Sequence, residues 1–267
     1  MKISNLFLLS VLAITVSCTN ECEKSTTYDN GIKKMTLTFP DCLDSTRFMR
    51  TIFHPNGQIQ SEGLVKNGLK EGQFKTWNQS GIQTAEWNLV NDVEHGPVKC
   101  WHDNGVKSKE VTFYAGKENG IQRVWSENGS LQSVGNFENG VATGEWKFLD
   151  ENGGWQILTY ENNELNGFTN EHNMDTTGNL VIIIGQYENG LETGTWRWFD
   201  KDSTLTQTAI YSNGEATGQI IEFYKNGVIK RKGNLINGRN DGLSTYFDTT
   251  GKVSRIENHE NGKLIEN

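Results

Sequence analysis

The chain has 267 residues, a length that allows one or two domains. Its 29 glycines against 3 prolines exclude collagen and proline-rich disorder, and 8 Trp, 12 Phe and 7 Tyr exclude an intrinsically disordered chain, because aromatic side chains supply the burial that ordering requires. With 25 Lys and Arg scattered among 33 Asp and Glu, the net charge of −8 repels a phosphate backbone, so nucleic acid is not an expected partner. Abundant glycine with little proline points to a chain that turns often and pairs strands between its turns.

Residues Leu6 to Val16 form an apolar run behind a single positive charge, Lys2. Eleven helical residues reach only about 16 Å, short of a hydrocarbon core of about 30 Å, so the segment reads as an export signal over residues 1–17. Val16-Ser17-Cys18 resembles the lipobox of bacterial lipoproteins, although Thr15 stands where that motif usually has Leu. The resemblance implies that Cys18 becomes the lipidated first residue, and that the membrane is reached through this anchor alone. A plain secretory signal, giving a secreted or periplasmic protein, is the other reading. Cys22 and Cys42 would close a twenty-residue loop in an oxidising compartment, while Cys100, beside Trp101, reads as a small buried hydrophobe.

From residue 50 onward the chain repeats. Asn-Gly occurs fourteen times, and Gly57, Gly81, Gly105, Gly129 and Gly153 are each 24 residues apart. Gly178 and Ser203 follow at intervals of 25, then Gly227 and Gly251 at 24. A second glycine series runs Gly68, Gly116, Gly140, Gly190, Gly214, Gly238, Gly262, with Asp92 and Asn163 standing in for glycine. A third lies four residues further on, beginning Gly72, Gly96, Gly120, Gly144. Asn-Gly tolerates positive φ at both central positions of a tight turn, and the seven- to nine-residue segments between turns suit strands. The expected fold is all-β: an elongated, solenoid-like meander of antiparallel hairpins, eight or nine repeats long, advancing about 10 Å per repeat. Residues 18–49 read as a tether and degenerate N-terminal cap, and 50–267 as the repeat domain.

The columns of the repeat assign a core. Trp77, Trp101, Trp125, Leu149, His172, Phe199, Phe223 and Phe247 share one position, which reads as a continuous core stripe. Val65, Leu89, Phe113, Phe137, Tyr187, Tyr211, Leu235 and His259 share another. A third, mixed column of Phe74, Val98, Gln122, Trp146, Thr169, Trp196, Ile220 and Ser244 reads as a partly exposed face. The fifth repeat is longer, has His172 at the aromatic position and is polar over 168–176, so a bulge, loop or bend is expected there.

The units beginning at Asn56-Gly57 and Asn226-Gly227 resemble the bacterial variant of the MORN repeat, as in YwqK-type proteins. The shared pattern is Asn-Gly, an aliphatic residue such as Ile59 or Ile229, then Gly63 or Gly233. Asn-Gly-x-x-x-Gly follows at Asn67 to Gly72 and Asn237 to Gly242, and finally aromatics, Phe74 and Trp77 or Tyr246 and Phe247. The resemblance implies binding of protein or phospholipid, or an immunity or antitoxin role against a cognate toxin. It carries no residue signature for any of these.

Chemistry-bearing motifs are sparse. Of the histidines, only His54 and His102 share a column, and about 20 Å separates them, too far to share a metal. There is no Cys-x-x-Cys, EF-hand, Gly-x-Ser-x-Gly, His-Glu-x-x-His or phosphate-loop pattern. No cofactor, no metal and no catalysis are expected. The expected function is an exported, non-catalytic interaction scaffold of the cell envelope that binds a protein or other envelope ligand. A toxin-neutralising protein and, behind it, a glycan-acting enzyme using turn carboxylates are the alternatives. Because pattern failures gather at functional places, the candidate binding surface is drawn at the irregular repeat and its neighbours: Trp146, His172, Trp196 and Trp198.

Overall fold

A computed structural model describes residues 22–150, 153–175 and 177–265. Among these residues the chain is all-β, and twenty-four strands join one open antiparallel sheet. Strands pair with their neighbours in sequence, except that Val93–Glu94, Lys117–Glu118 and Arg239–Asn240 are short pieces pairing with the preceding strand alongside the longer piece that follows, so the sheet is the hairpin meander that the 24-residue period predicts. The meander starts upstream of the repeats: Cys22–Thr27 and Lys33–Phe39 pair with each other, and Lys33–Phe39 pairs with Arg47–Phe53. A disulfide from Cys22 to Cys42, with Cα atoms 5.3 Å apart, ties this first hairpin to the loop that follows it.

Two kinds of turn alternate. At the second turn of a repeat, Asn67 and Gly68 both have positive φ (53° and 83°), a type I′ pair whose twist matches the flanking strands. At the first turn only the glycine does. Gly57 has φ 88° and donates to His54 O at 2.9 Å, and Asn56 contributes its side chain instead. Its Oδ1 accepts from Gln58 N at 3.1 Å, and its Nδ2 donates to Gln79 O at 2.7 Å in the next repeat. Turns therefore bind turns along the sheet. At the type I′ edge the same stacking uses backbone, as in Gly116 N to Glu94 O (2.9 Å) and Gly140 N to Glu118 O (2.7 Å). Where glycine is replaced, the new side chain strengthens this seam: Asp92 Oδ1 accepts from Lys70 N at 2.8 Å, and Asn163 Oδ1 from Ala142 N at 2.6 Å.

Packing reverses one expectation. Most of the mixed column is buried, with Phe74 4%, Trp146 6%, Trp196 5% and Thr169 1% exposed and only Val98 and Gln122 half-buried, whereas every member of the Trp77 column is half-buried. The physical reason lies across the strands. Phe74 is paired with Gly63 on one side and Trp87 on the other; Trp146 and Trp196 lie over Gly135 and Gly185. A methyl group at any of these three glycines would collide with the ring, so the missing side chain makes the space in which the ring lies flat. The second column then closes around each ring. Phe137 and Tyr160 flank Trp146 at 5.1 and 5.9 Å, and Tyr187 and Tyr211 flank Trp196 at 5.3 and 5.6 Å.

The fifth repeat also differs from expectation. Residues 168–174 lie within an unbroken eleven-residue strand, Glu164–Met174, rather than in a loop. Regular repeats carry a bulge where the aromatic of the Trp77 column meets the next strand, as at Thr76/Trp77 and Val124/Trp125. The pairings of Leu149 with Trp155 and of Met174 with Leu180 run through without one. The extra length is absorbed as strand.

Two outcomes test this packing. Gly185→Ala should lower stability by about 1–3 kcal/mol through overpacking, and the loss should shrink in a Trp196→Leu background; denaturant midpoints of the four proteins in that cycle measure it. Ala115, at φ 49°, occupies a left-handed type I′ position that costs Ala about 1 kcal/mol but that Asn tolerates, so Ala115→Asn should raise stability, seen as a higher denaturant midpoint.

Candidate functional site

Strand alternation divides the side chains between two faces, and the glycine–aromatic row occupies one of them. On the other face the pairing register builds a second row, one residue per strand. It begins Glu62, Lys75, Glu86, Lys99, Glu110, Arg123, each directly opposite the next. Signs alternate at every step, so each inner charge stands between two opposite ones. Lys99 Nζ lies 3.8 Å from Glu86 Oε1, and Lys107 Nζ lies 3.3 Å from Glu110 Oε2. Charge on this half of the face is matched within the chain.

After Arg123 the row changes character. It continues Val134, Lys147, Ile157, Asn170, Ile184, Arg197, Thr208, Ile221, Lys232. Cations persist, but aliphatic and neutral residues replace the carboxylates. The flanking row is apolar here: Leu149, Trp155, His172, Ile182 and Phe199 are paired in succession across five strands. That continuity depends on the missing bulges of the fifth repeat, since a bulge elsewhere interrupts the row between neighbouring repeats. Trp155 and His172 stack with ring centres 3.7 Å apart, and Lys147 Nζ sits 5.0 Å above the Trp155 ring. Burial, and then the Lys147 charge, lower the His172 pKa below the usual imidazole value. On the third side, Phe168 is 73% exposed and Ile121 49%. Ile121, Val134, Lys147 and Ile157, with Asn136 and Glu145, line a shallow cavity of ≈ 340 Å³.

The MORN repeat variant model matches residues 50–67, 118–139 and 216–237. These three segments are spread along the sheet, and each ends at a type I′ turn, Asn67-Gly68, Asn139-Gly140 or Asn237-Gly238. At these three segments the chain is similar to the MORN repeat variant. No curated protein matches it.

The four residues expected to form a binding surface, all outside the matched segments, are separated. Trp146 and Trp196 belong to the packed row, their indole N–H groups buried without an acceptor among the described residues. Trp198 is half-buried on that same face, 6.5 Å from Trp196 and 6.4 Å from Tyr211. Trp146 and Trp196 are thus structural, because each fills the space over a glycine. Only His172 lies on the opposite face. Its companions there are Trp155, Lys147, Phe168 and Arg197, which column-matching missed. Counting alternate residues out from Trp155 to Ile157 would have grouped Trp155 with Lys147, given the register.

The remaining chemistry-bearing residues have structural tasks. His54 Nε2–H and His102 Nε2–H donate to Trp77 O and Trp125 O, both at 2.8 Å, which links successive repeats. Tyr28 and Tyr224 do the same with their hydroxyls. Asp175 holds its own turn, accepting from Thr177 N and Asn179 N at 2.8 Å. The Thr177 hydroxyl and the Asn179 amide bring its carboxyl down to about 2. Among the described residues no three His, Cys, Asp or Glu side chains gather to hold a metal ion. Burial raises the Cys100 thiol pKa, as suits a packing residue.

Titration of His172 reads the site directly. Lys147→Gln removes the neighbouring positive charge, so the imidazolium becomes easier to form and the His172 pKa should rise toward its ordinary value; NMR of the ring protons measures the shift. Because the folded value lies below the unfolded one, His172 contributes stability at neutral pH that is lost as pH falls through the folded value. That loss should be smaller in the variant.

Proposed function

We propose that this protein is an exported, non-catalytic interaction scaffold of the bacterial cell envelope, anchored by lipid at Cys18, and that it binds its partner on the open face of the central repeats. The observation that carries the reading is the division of labour between the two faces. One is consumed by ring-over-glycine packing, while the other changes at Arg123 from matched charges to apolar residues and cations with no carboxylate opposite them. A sheet that needed only to be stable would have no use for Phe168 at 73% exposure on the face that carries Trp155 and His172. Aromatic and cationic side chains concentrated in one patch are the usual source of interface energy.

The anchor rests on the apolar run and on Ser17-Cys18, both outside the described residues. Cys22 bonded to Cys42 suits an oxidising compartment.

Two measurements check the reading. Intact mass of membrane-extracted protein should show a mature N-terminus at Cys18 bearing acyl chains; cleavage elsewhere, or an unmodified cysteine, refutes the anchor. Hydrogen exchange with a partner captured from envelope extracts should show protection within residues 147–199. Protection limited to the repeats between Gly57 and Gly129 would place the interaction elsewhere.

A further inference from the structure

The open face has a chemistry specific enough to describe its occupant. We propose that the row from Val134 to Lys232 docks an extended polypeptide segment carrying carboxylates among aliphatic side chains, laid across the strands. The inference rests on the scaffold reading above and adds the partner's class and path.

Charge complementarity selects the sign. Lys147 stands between Val134 and Ile157, Arg197 between Ile184 and Thr208, and Lys232 between Ile221 and Thr245. None has a carboxylate opposite it, whereas Lys75 and Lys99 in the same row each have two. Glu145, on the strand of Lys147, is the nearby acid and lines the same cavity. The cation over the Trp155 ring is held in place before any partner arrives, which lowers the ordering cost of binding.

Spacing selects the shape. Lys147 and Arg197 are four strands apart and Arg197 and Lys232 three, about 19 Å and 14 Å at the usual interstrand distance. An extended chain covers those spans in about six and four residues. The aliphatic residues between the cations then receive apolar side chains from the same segment. A flat anionic bilayer fits less well. Glu138, Glu161, Glu164, Glu188 and Glu215 are all exposed at the type I′ turns, so a surface broad enough to cover the face would meet them as well. A narrow segment meets the row alone.

The test uses the full mature chain and a fluorescein-labelled peptide with three Glu at about six- and four-residue spacing among Leu, Val and Thr, beside versions with Gln or Lys in place of Glu. Anisotropy should show the Glu peptide binding at least about tenfold more tightly than the Gln peptide, and progressively less so as salt is raised. Lys147→Gln combined with Arg197→Gln should weaken it by about tenfold, while Lys75→Gln with Lys99→Gln should leave it unchanged. Near-UV circular dichroism confirms that each variant is folded, and Arg197→Gln alone serves if the pair is not. Equal affinity for all three peptides, or no saturable binding, overturns the proposal. Cosedimentation with phosphatidylcholine vesicles only when phosphatidylglycerol is added, lost in the Lys147/Arg197 variant, would overturn it in favour of lipid. A dimer in sedimentation velocity that the same variant abolishes would overturn it in favour of a second copy. Capture from envelope extracts by that variant, undiminished and still protecting residues 147–199, would reject this row while leaving the scaffold reading intact.

Discussion

A large ring lying over a glycine on the neighbouring strand is the contact on which the rest of this protein depends. Among the described residues no second sheet or helix covers the apolar side chains of this one-layer sheet, so cover comes from within the same face. Gly63, Gly135 and Gly185 give up their side chains so that Phe74, Trp146 and Trp196 can lie flat, and the tyrosines and phenylalanines of the adjoining column close over them. Size must be matched strand by strand for this to work. Where the ring is absent the match changes in step, as with Ala209 against Ile220 and Gly233 against Ser244. Each repeat therefore buries its core only when its neighbours are present, as expected of repeat architectures generally.

The turns lock that match in place. Because side chains alternate with a period of two, a slip of one residue would move every ring to the wrong face. Bonds from one turn to the next oppose such a slip at both edges of the sheet. They use Asn, His or Tyr side chains at one edge and backbone amides at the other. Asp92 and Asn163 show how the seam tolerates loss of glycine, since each offers an acceptor that glycine lacks.

Packing on one face frees the other. In the first repeats that freedom is spent on a ladder of alternating charge, which is soluble and self-satisfied. In the central repeats the ladder loses its acids, the bulges beside Leu149 and His172 vanish, and a continuous apolar row with cations among it results. Irregularity in the sequence and continuity in the structure thus have one cause: longer strands replace the bulges that segment the sheet elsewhere. The one histidine among the residues of this row and its flank, His172, is stacked on Trp155.

The sequence by itself determined the period, the turn positions and the all-β class, because these follow from local conformational preference: Asn-Gly turns are legible wherever they stand. It also marked the fifth repeat as the place where regularity ends. The assignment of faces was decided only by tertiary structure. Trp77 and Phe74 lie three residues apart on one strand, and nothing local states that the first faces outward, half-covered, while the second is buried. What decides is the residue opposite, Gly63 for Phe74, and the register that brings them together. The charge ladder was hidden for the same reason. Glu62, Lys75, Glu86 and Lys99 stand eleven to thirteen residues apart and become neighbours only once the strands are paired. Trp155, Lys147 and His172 likewise belong to three different strands, so the surface they form exists only in the folded sheet.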